Sequence, residues 1–129
     1  MTNSEITFNA EFVEALSDND NPDFIVHGIY FGEGDPEQGG EHWSFTRVLE
    51  NDDDGVCTVK EIQQVTIYRG IDKFLLGRTH LICEFDKAHS VETGTEKLVI
   101  TYDIPDDEWE KLTNVAKLVF SGENYFEIE

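Results

Sequence analysis

Basic residues are scarce in this sequence, and their scarcity excludes several functions. Nine Lys and Arg face 28 Asp and Glu, which gives a formal net charge of −19 at pH 7. Ordinary nucleic-acid binding and binding to anionic membranes both need clustered Lys and Arg, so neither is expected. No apolar run approaches the roughly 18 residues of a membrane span. The N-terminus has neither a basic start nor an apolar signal core, so we expect a mature cytoplasmic protein.

Cysteine is also scarce. Cys57 and Cys83 each lie within a β-like run, and the sequence contains no CxxC motif or Cys/His cluster. Two cysteines do not make a disulfide framework, so we expect two reduced, buried thiols and no structural zinc site. A disulfide stays open as an alternative if the two strands pair.

Catalytic and cofactor-binding motifs are absent as well. The sequence has no GxSxG, SxxK, HExxH, GxGxxG or Walker pattern, and its four histidines lack metal-binding spacing. The run Asp18–Asp23 fails the EF-hand pattern at the third ligand, and Asn51–Gly55 has the composition of a hairpin turn. We therefore predict that the chain is not an enzyme and holds no cofactor or metal. A small carboxylate enzyme and a weak calcium binder are the alternatives.

Alternating apolar and polar residues predict a mostly β chain. Strands are expected near 6–12, 24–31, 42–49, 56–60, 61–68, 74–76, 80–85 and 97–103, with 125–128 as an optional last strand. Residues 56–68 could form one bent strand, 10–16 could form a short helical turn, and 86–96 is interpreted as a polar connection.

One helix is predicted near the C-terminus. It begins at Pro105 or Asp106, has acids in its first turn, and is followed by Gly122 as a C-cap. An apolar stripe with helical spacing, Trp109, Leu112, Ala116 and Val119, marks its buried side. The chain is thus predicted as a single α+β domain over residues 1–129. It would be an antiparallel sheet of about six to eight strands with one late amphipathic helix (about 106–120) packed on it.

The acidic charge is concentrated in the first third of the chain. Residues 1–46 contain ten acids and no Lys or Arg. The net charge of −19 exceeds the magnitude of roughly 2–8 that suffices for solubility, which favours a functional role over a merely solvated face. Such a surface would attract a basic protein partner, for which a nuclease-like toxin with a phosphate-holding cleft is a good candidate. The candidate partner-binding residues are the acids of two loops and one aromatic anchor: Glu33, Asp35, Glu37, Glu41, Trp43, Asp52, Asp53 and Asp54.

Two segments resemble a known family. In Trp43–Leu76, a strand that ends in Arg precedes an acid-rich turn, a second strand, an aromatic and glycine turn, and further apolar strands. Lys97–Phe120 continues in the same order. The chain resembles immunity protein family 10 of bacterial polymorphic toxin systems. That resemblance implies a small, mostly β, cytosolic protein that protects a bacterial cell from its own toxin. It carries over no functional residues.

The partner prediction leaves one other class open. An acidic structural or adaptor module would have a similar composition, bind no toxin, and tend to self-associate through an exposed strand edge. Both a monomer and a dimer are compatible with the sequence.

Overall fold

The computed structural model describes residues 4–18, 25–34, 40–49, 53–60 and 65–129. These residues form ten strands and two α-helices. The strands are β1 (Glu5–Asn9), β2 (Phe12–Asp18), β3 (Val26–Gly32), β4 (His42–Val48), β5 (Cys57–Lys60), β6 (Val65–Tyr68), β7 (Ile71–Leu76), β8 (His80–Phe85), β9 (Lys97–Thr101) and β10 (Phe126–Ile128). The helices are α1 (Lys87–Thr93) and α2 (Asp106–Val119).

The strands form two sheets of five. The first sheet has the order β1-β9-β8-β7-β10, and the second has the order β2-β3-β4-β5-β6. The second sheet is antiparallel throughout, whereas in the first sheet the edge strands β1 and β10 pair in parallel with β9 and β7. The mostly β prediction is confirmed. The expectation of a single antiparallel sheet of six to eight strands is wrong, and so is that of one helix.

The second sheet begins where the first predicted strand breaks. The Ala10 N–H donates to the carbonyl of Thr101 in β9 of the first sheet at 2.7 Å, and the Glu11 N–H donates to the carbonyl of Gly32 in β3 of the second sheet at 2.9 Å. The chain therefore changes sheets within two residues. Because alternation continues on both sides of the change, the sequence pattern resembles one strand through residue 12.

Aromatic side chains join the two sheets. Phe45 on β4 meets Phe74 on β7 edge to face, with ring centroids 5.0 Å apart. Trp43 on β4 stacks on Phe85 of β8 at 5.9 Å. Phe120, at the end of α2, lies 4.3 Å from Phe74. These contacts place the core between the inner faces of the sheets, with the end of α2 in it.

The late helix is confirmed, with α2 spanning Asp106–Val119. Its buried residues, Leu112, Val115, Ala116 and Val119, turn toward β2, β3 and β4. The helix α1 corrects the prediction of a polar connection over 86–96. Only Thr93 of α1 is buried, so the segment lacks the apolar period that reveals longer helices. The prediction of one bent strand over 56–68 is also wrong, since β5 and β6 pair as antiparallel neighbours.

In the described part of the chain, neither helix has the length and apolar character needed to cross a bilayer.

The core contacts predict a large cost for shortening Phe74, whose side chain is fully buried. We expect Phe74→Ala to lower the free energy of unfolding by about 3–5 kcal/mol, because it leaves a cavity between the sheets. Val91→Ala on α1 is the control, since Val91 is 82% exposed and should change stability by less than about 0.5 kcal/mol. Urea unfolding followed by tryptophan fluorescence measures both. Equal stabilities for the two variants would contradict this description of the core.

Candidate partner-binding surface

Trp43 lies in the core, which corrects its expected role as an exposed anchor. Its side chain is 2% exposed, and its indole N–H donates to Glu41 Oε1 at 3.2 Å. Alternation along β4 turns Trp43 inward together with Phe45. The ring is therefore not available to a partner.

The first acidic loop, between β3 and β4, is closed at its base by its own acids. The Glu33 N–H donates to the Glu41 carbonyl at 2.9 Å, and the Glu41 N–H donates to Glu33 Oε1 at 3.1 Å. Both residues are half-buried. Asp35 and Glu37 lie outside the described residues. Glu33 thus supports the loop through its carboxylate, whatever else it contacts.

The second acidic loop, between β4 and β5, holds an arginine–carboxylate pair. Arg47 donates from Nε and from Nη2 to the two carboxylate oxygens of Asp53, each at 3.1 Å. Arg47 Nη1 donates to the Ser121 carbonyl at 2.7 Å and lies 3.4 Å from Glu123 Oε1. The Asp53 carboxylate also accepts the Gly55 N–H at 2.9 Å. Asp53 therefore fixes the loop to the segment that follows α2.

Among the described acids of this second loop, Asp54 differs from Asp53, because the hydrogen bonds from Arg47 go to Asp53. Asp54 is exposed, whereas Asp52 lies outside the described residues. The acids of this loop look equivalent in the sequence, because Asp53 pairs with Arg47 only once the hairpin has folded.

The two acidic loops lie at opposite ends of β4. His42 pairs with Gly32 at one end, and Val48 pairs with Val26 at the other. Seven residues of strand separate the loops by about 20 Å. The described acids, Glu33 and Glu41 at one end and Asp53 and Asp54 at the other, therefore do not form one patch. The outer side of the second sheet lies between them.

We call this outer side the tyrosine face. Its two central rows cross all five strands and consist of Glu14, Tyr30, Ser44, Val59 and Thr66, and of Leu16, Gly28, Thr46, Cys57 and Tyr68. Residues directly opposite each other in antiparallel strands share a face, so these side chains point away from the core. Most are half-buried or exposed, and Tyr68 is 54% exposed. The sequence pattern does not reveal this face, because its residues are spread over five strands.

No Lys or Arg lies on the tyrosine face within the described strands. The second sheet contains two basic residues, Arg47 and Lys60, and both share the inner side with Trp43 and His27. Lys60 Nζ donates to the Thr93 carbonyl of α1 at 2.8 Å and lies 5.5 Å from the Trp43 ring centroid. Both cations are therefore held away from the face.

Two glycines let aromatic rings lie along the tyrosine face. A Cβ on Gly28 would come within 2.6 Å of the Tyr30 hydroxyl, and one on Gly32 within 2.9 Å of the His42 ring. The two rings thus cover the glycines. Partial burial raises the pKa of Tyr30, and the charges of Glu14 and Asp18 raise it further. The Tyr30 hydroxyl therefore lies in a negative field.

The outer side of the first sheet is different, because its charges alternate. Lys97 Nζ lies 3.7 Å from Glu5 Oε1, and Lys73 Nζ lies 3.9 Å from Glu84 Oε2. Glu84 and Lys97 are also direct strand partners. This row neutralises itself. The two outer sides therefore differ in charge. The first sheet has lysines beside its acids, whereas the described strands have no Lys or Arg on the tyrosine face.

Both cysteines are free, as predicted, and they lie in different sheets. Cys83 is fully buried, and burial raises the pKa of its thiol. Cys57 is only half-buried, on the tyrosine face, which corrects the expectation that both thiols are buried. The pKa of the Cys57 thiol is also raised by burial. Hydrogen bonds with Thr46 and Tyr68 lower it, but burial has the larger effect.

The metal and enzyme alternatives each require particular side chains to lie close together. In the described ranges, no three His, Cys, Asp or Glu gather closely enough to hold a metal ion. A groove of about 170 Å³ between β2 and α2 contains Glu14 and Glu108 but no histidine. The two acids and one histidine required by the enzyme alternative do not meet in this groove.

No family model, curated protein or solved structure matches this chain.

The Arg47–Asp53 pair makes stability depend on pH. The hydrogen bond from Arg47 lowers the pKa of Asp53, with help from the Gly55 N–H. A carboxyl whose folded pKa is depressed stabilises the fold above its unfolded pKa, and this contribution is lost as pH falls through the folded pKa. We expect Asp53→Asn to be less stable than the wild type at pH 7, with the difference shrinking as the pH falls through the lowered pKa of Asp53 in the folded protein. Thermal unfolding across this range measures it.

Asp54→Asn is the matched control, since it removes the same charge from the next residue. It should leave the pH profile close to that of the wild type. A profile for Asp53→Asn that runs parallel to the wild type at all pH values would contradict the pairing.

Proposed function

We propose that this chain is a non-catalytic inhibitor of the immunity type, which neutralises a cationic, nuclease-like bacterial toxin by covering its basic surface. The observation that carries the proposal is the charge pattern of the second sheet. Within the described strands, its tyrosine face carries Glu14 and no Lys or Arg, and an acidic loop lies at each end of β4.

The charge pattern suits a partner that is strongly basic. A nuclease needs a positive cleft to hold phosphate, and an acidic protein is attracted to that cleft over several ångströms. Electrostatic steering of this kind can raise association rates by a factor of about 10–10³ at low salt. The chain tolerates self-repulsion from a net charge of −19, which such a function would explain.

The immunity part of the proposal rests on the resemblance of residues 43–120 to immunity protein family 10. In this proposal the chain acts in a bacterial cytoplasm, and the toxin is its basic protein partner. The alternative, an acidic structural or adaptor module, has no dedicated cationic partner. A partner search therefore separates the two functions.

The test is affinity capture from the cells that make the protein, followed by an activity assay. We expect one basic protein in a 1:1 ratio that survives a moderate-salt wash. Its nuclease activity, measured on RNA and DNA with the purified protein, should fall to background when the chain is added in equal amount. A scatter of basic proteins that all dissociate at moderate salt would contradict the proposal.

The acidic loops should steer the encounter. The double variant Glu37→Lys/Asp54→Lys reverses one charge in each loop, and we expect it to slow association with the purified partner about tenfold at low salt. Glu92→Lys/Glu127→Lys is the control with the same total charge, placed on exposed acids of α1 and β10. Stopped-flow fluorescence measures both rates. Equal slowing by both variants would show that net charge alone steers the encounter, which would contradict a role of these loops.

A further inference from the structure

We propose that the tyrosine face is the docking surface for the cationic partner, and that Tyr30 and Tyr68 receive arginine side chains from it. This inference rests on the proposed function and specifies where and how the partner binds. It moves the interface from the two acidic loops alone to the sheet between them.

The outer side of the second sheet exposes aromatic side chains. Phe12 and Tyr68 are 47% and 54% exposed, and both point outward from the second sheet. They lie on its two edge strands, with the half-buried Tyr30 on the strand next to β2. Aromatic side chains supply large contact area at little entropic cost, which is why they are common at binding surfaces.

The orientation of the Tyr30 ring favours stacking of a planar group. Tyr30 covers Gly28, so its ring lies along the sheet and turns one side to solvent rather than projecting from the sheet. A guanidinium plane stacks on such a surface through cation–π attraction and through its weak hydration. A lysine ammonium lacks the planar geometry, so arginine fits better.

The charges around the rings favour a cationic group. Glu14 is the direct strand partner of Tyr30, and Asp18 lies further along the same edge strand. Carboxylates beside an aromatic ring allow an arginine to stack and to form paired hydrogen bonds at once. On the outer side of the first sheet, by contrast, Glu5 lies beside Lys97 and Glu84 lies beside Lys73.

The dimensions of the face set how much of a partner it can contact. The three seven-residue strands β2, β3 and β4 extend about 20 Å, and five strands span about 19 Å between the outer two. A rectangle of these dimensions is about 380 Å², roughly half of the 800 Å² that each partner buries in a standard interface, so a partner would also contact residues around the face.

The test uses nona-arginine peptide as the probe and ¹⁵N-labelled protein observed by NMR, at about 50 mM salt. We expect saturable shifts centred on the amides of Glu14, Tyr30, Thr46 and Tyr68, and at least threefold weaker binding of nona-lysine. Shifts centred on the first sheet or on the acidic first turn of α2, or shifts spread over all acids, would overturn the inference. Equal affinity for the two peptides or the absence of saturable binding would also overturn it.

Variants of the face provide a second, independent readout. Tyr68→Ser and Glu14→Gln should each weaken nona-arginine binding at least threefold, while Glu127→Gln on the first sheet removes the same charge and should change it less than twofold. Tyr68 and Glu14 are exposed, so both variants should fold, which circular dichroism checks.

The same variants separate this inference from the proposed function. If a purified toxin partner is inhibited equally well by Tyr68→Ser, Glu14→Gln and the wild type, the docking surface is wrong and the function stands. If no basic partner exists, the function fails, and the peptide map still decides whether this face prefers arginine.

Discussion

The contact between Phe45 and Phe74 is the one on which the rest of the structure depends. It joins the two sheets, and Phe120 adds the end of α2 to the same cluster. Once Phe45 points into this cluster, alternation along β4 fixes which side chains of the second sheet can reach solvent. Strand pairing then carries the same choice to Tyr30 on β3 and to Cys57 on β5. The tyrosine face is therefore a consequence of the core, and a shift of one residue in register would destroy both.

The few basic residues explain why the remaining surface is so acidic. Three of the nine donate hydrogen bonds to backbone carbonyls elsewhere in the chain: Arg47 at the end of α2, Lys60 at the end of α1, and Arg78 at Ile104 before α2. Lys73 and Lys97 lie opposite acids of the first sheet. In the described strands of the second sheet, Arg47 and Lys60 both lie on the inner side, so no Lys or Arg of these strands lies on the tyrosine face. The same residues that stabilise the fold thus create the electrostatic asymmetry that we connect with partner binding.

Local patterns in the sequence predict α2 and most of the strands, but they miss β2 (Phe12–Asp18), where a helical turn over 10–16 was an alternative, and they do not predict how the strands assemble. The stripe of Leu112 and Ala116 reveals α2, because helical spacing is a property of neighbouring residues. The change of sheet at Ala10 leaves no such signal, and neither does the short helix α1, of which one residue is buried. For the candidate surface, the sequence predicts only that its charge is negative. Trp43 was assigned to it because a tryptophan beside an acidic loop resembles an anchor, yet strand alternation turns it inward. The tyrosine face needs the register of five strands, which no local pattern contains.

The central claim is that this chain recognises a basic partner through charge. The most direct measurement is the association rate constant with the purified partner as a function of ionic strength, together with the dissociation rate constant. If charge steers recognition, the association rate should fall steeply between 25 and 500 mM salt while dissociation changes little. An association rate that is flat over this range would contradict the account, because binding would then owe nothing to the acidic surface.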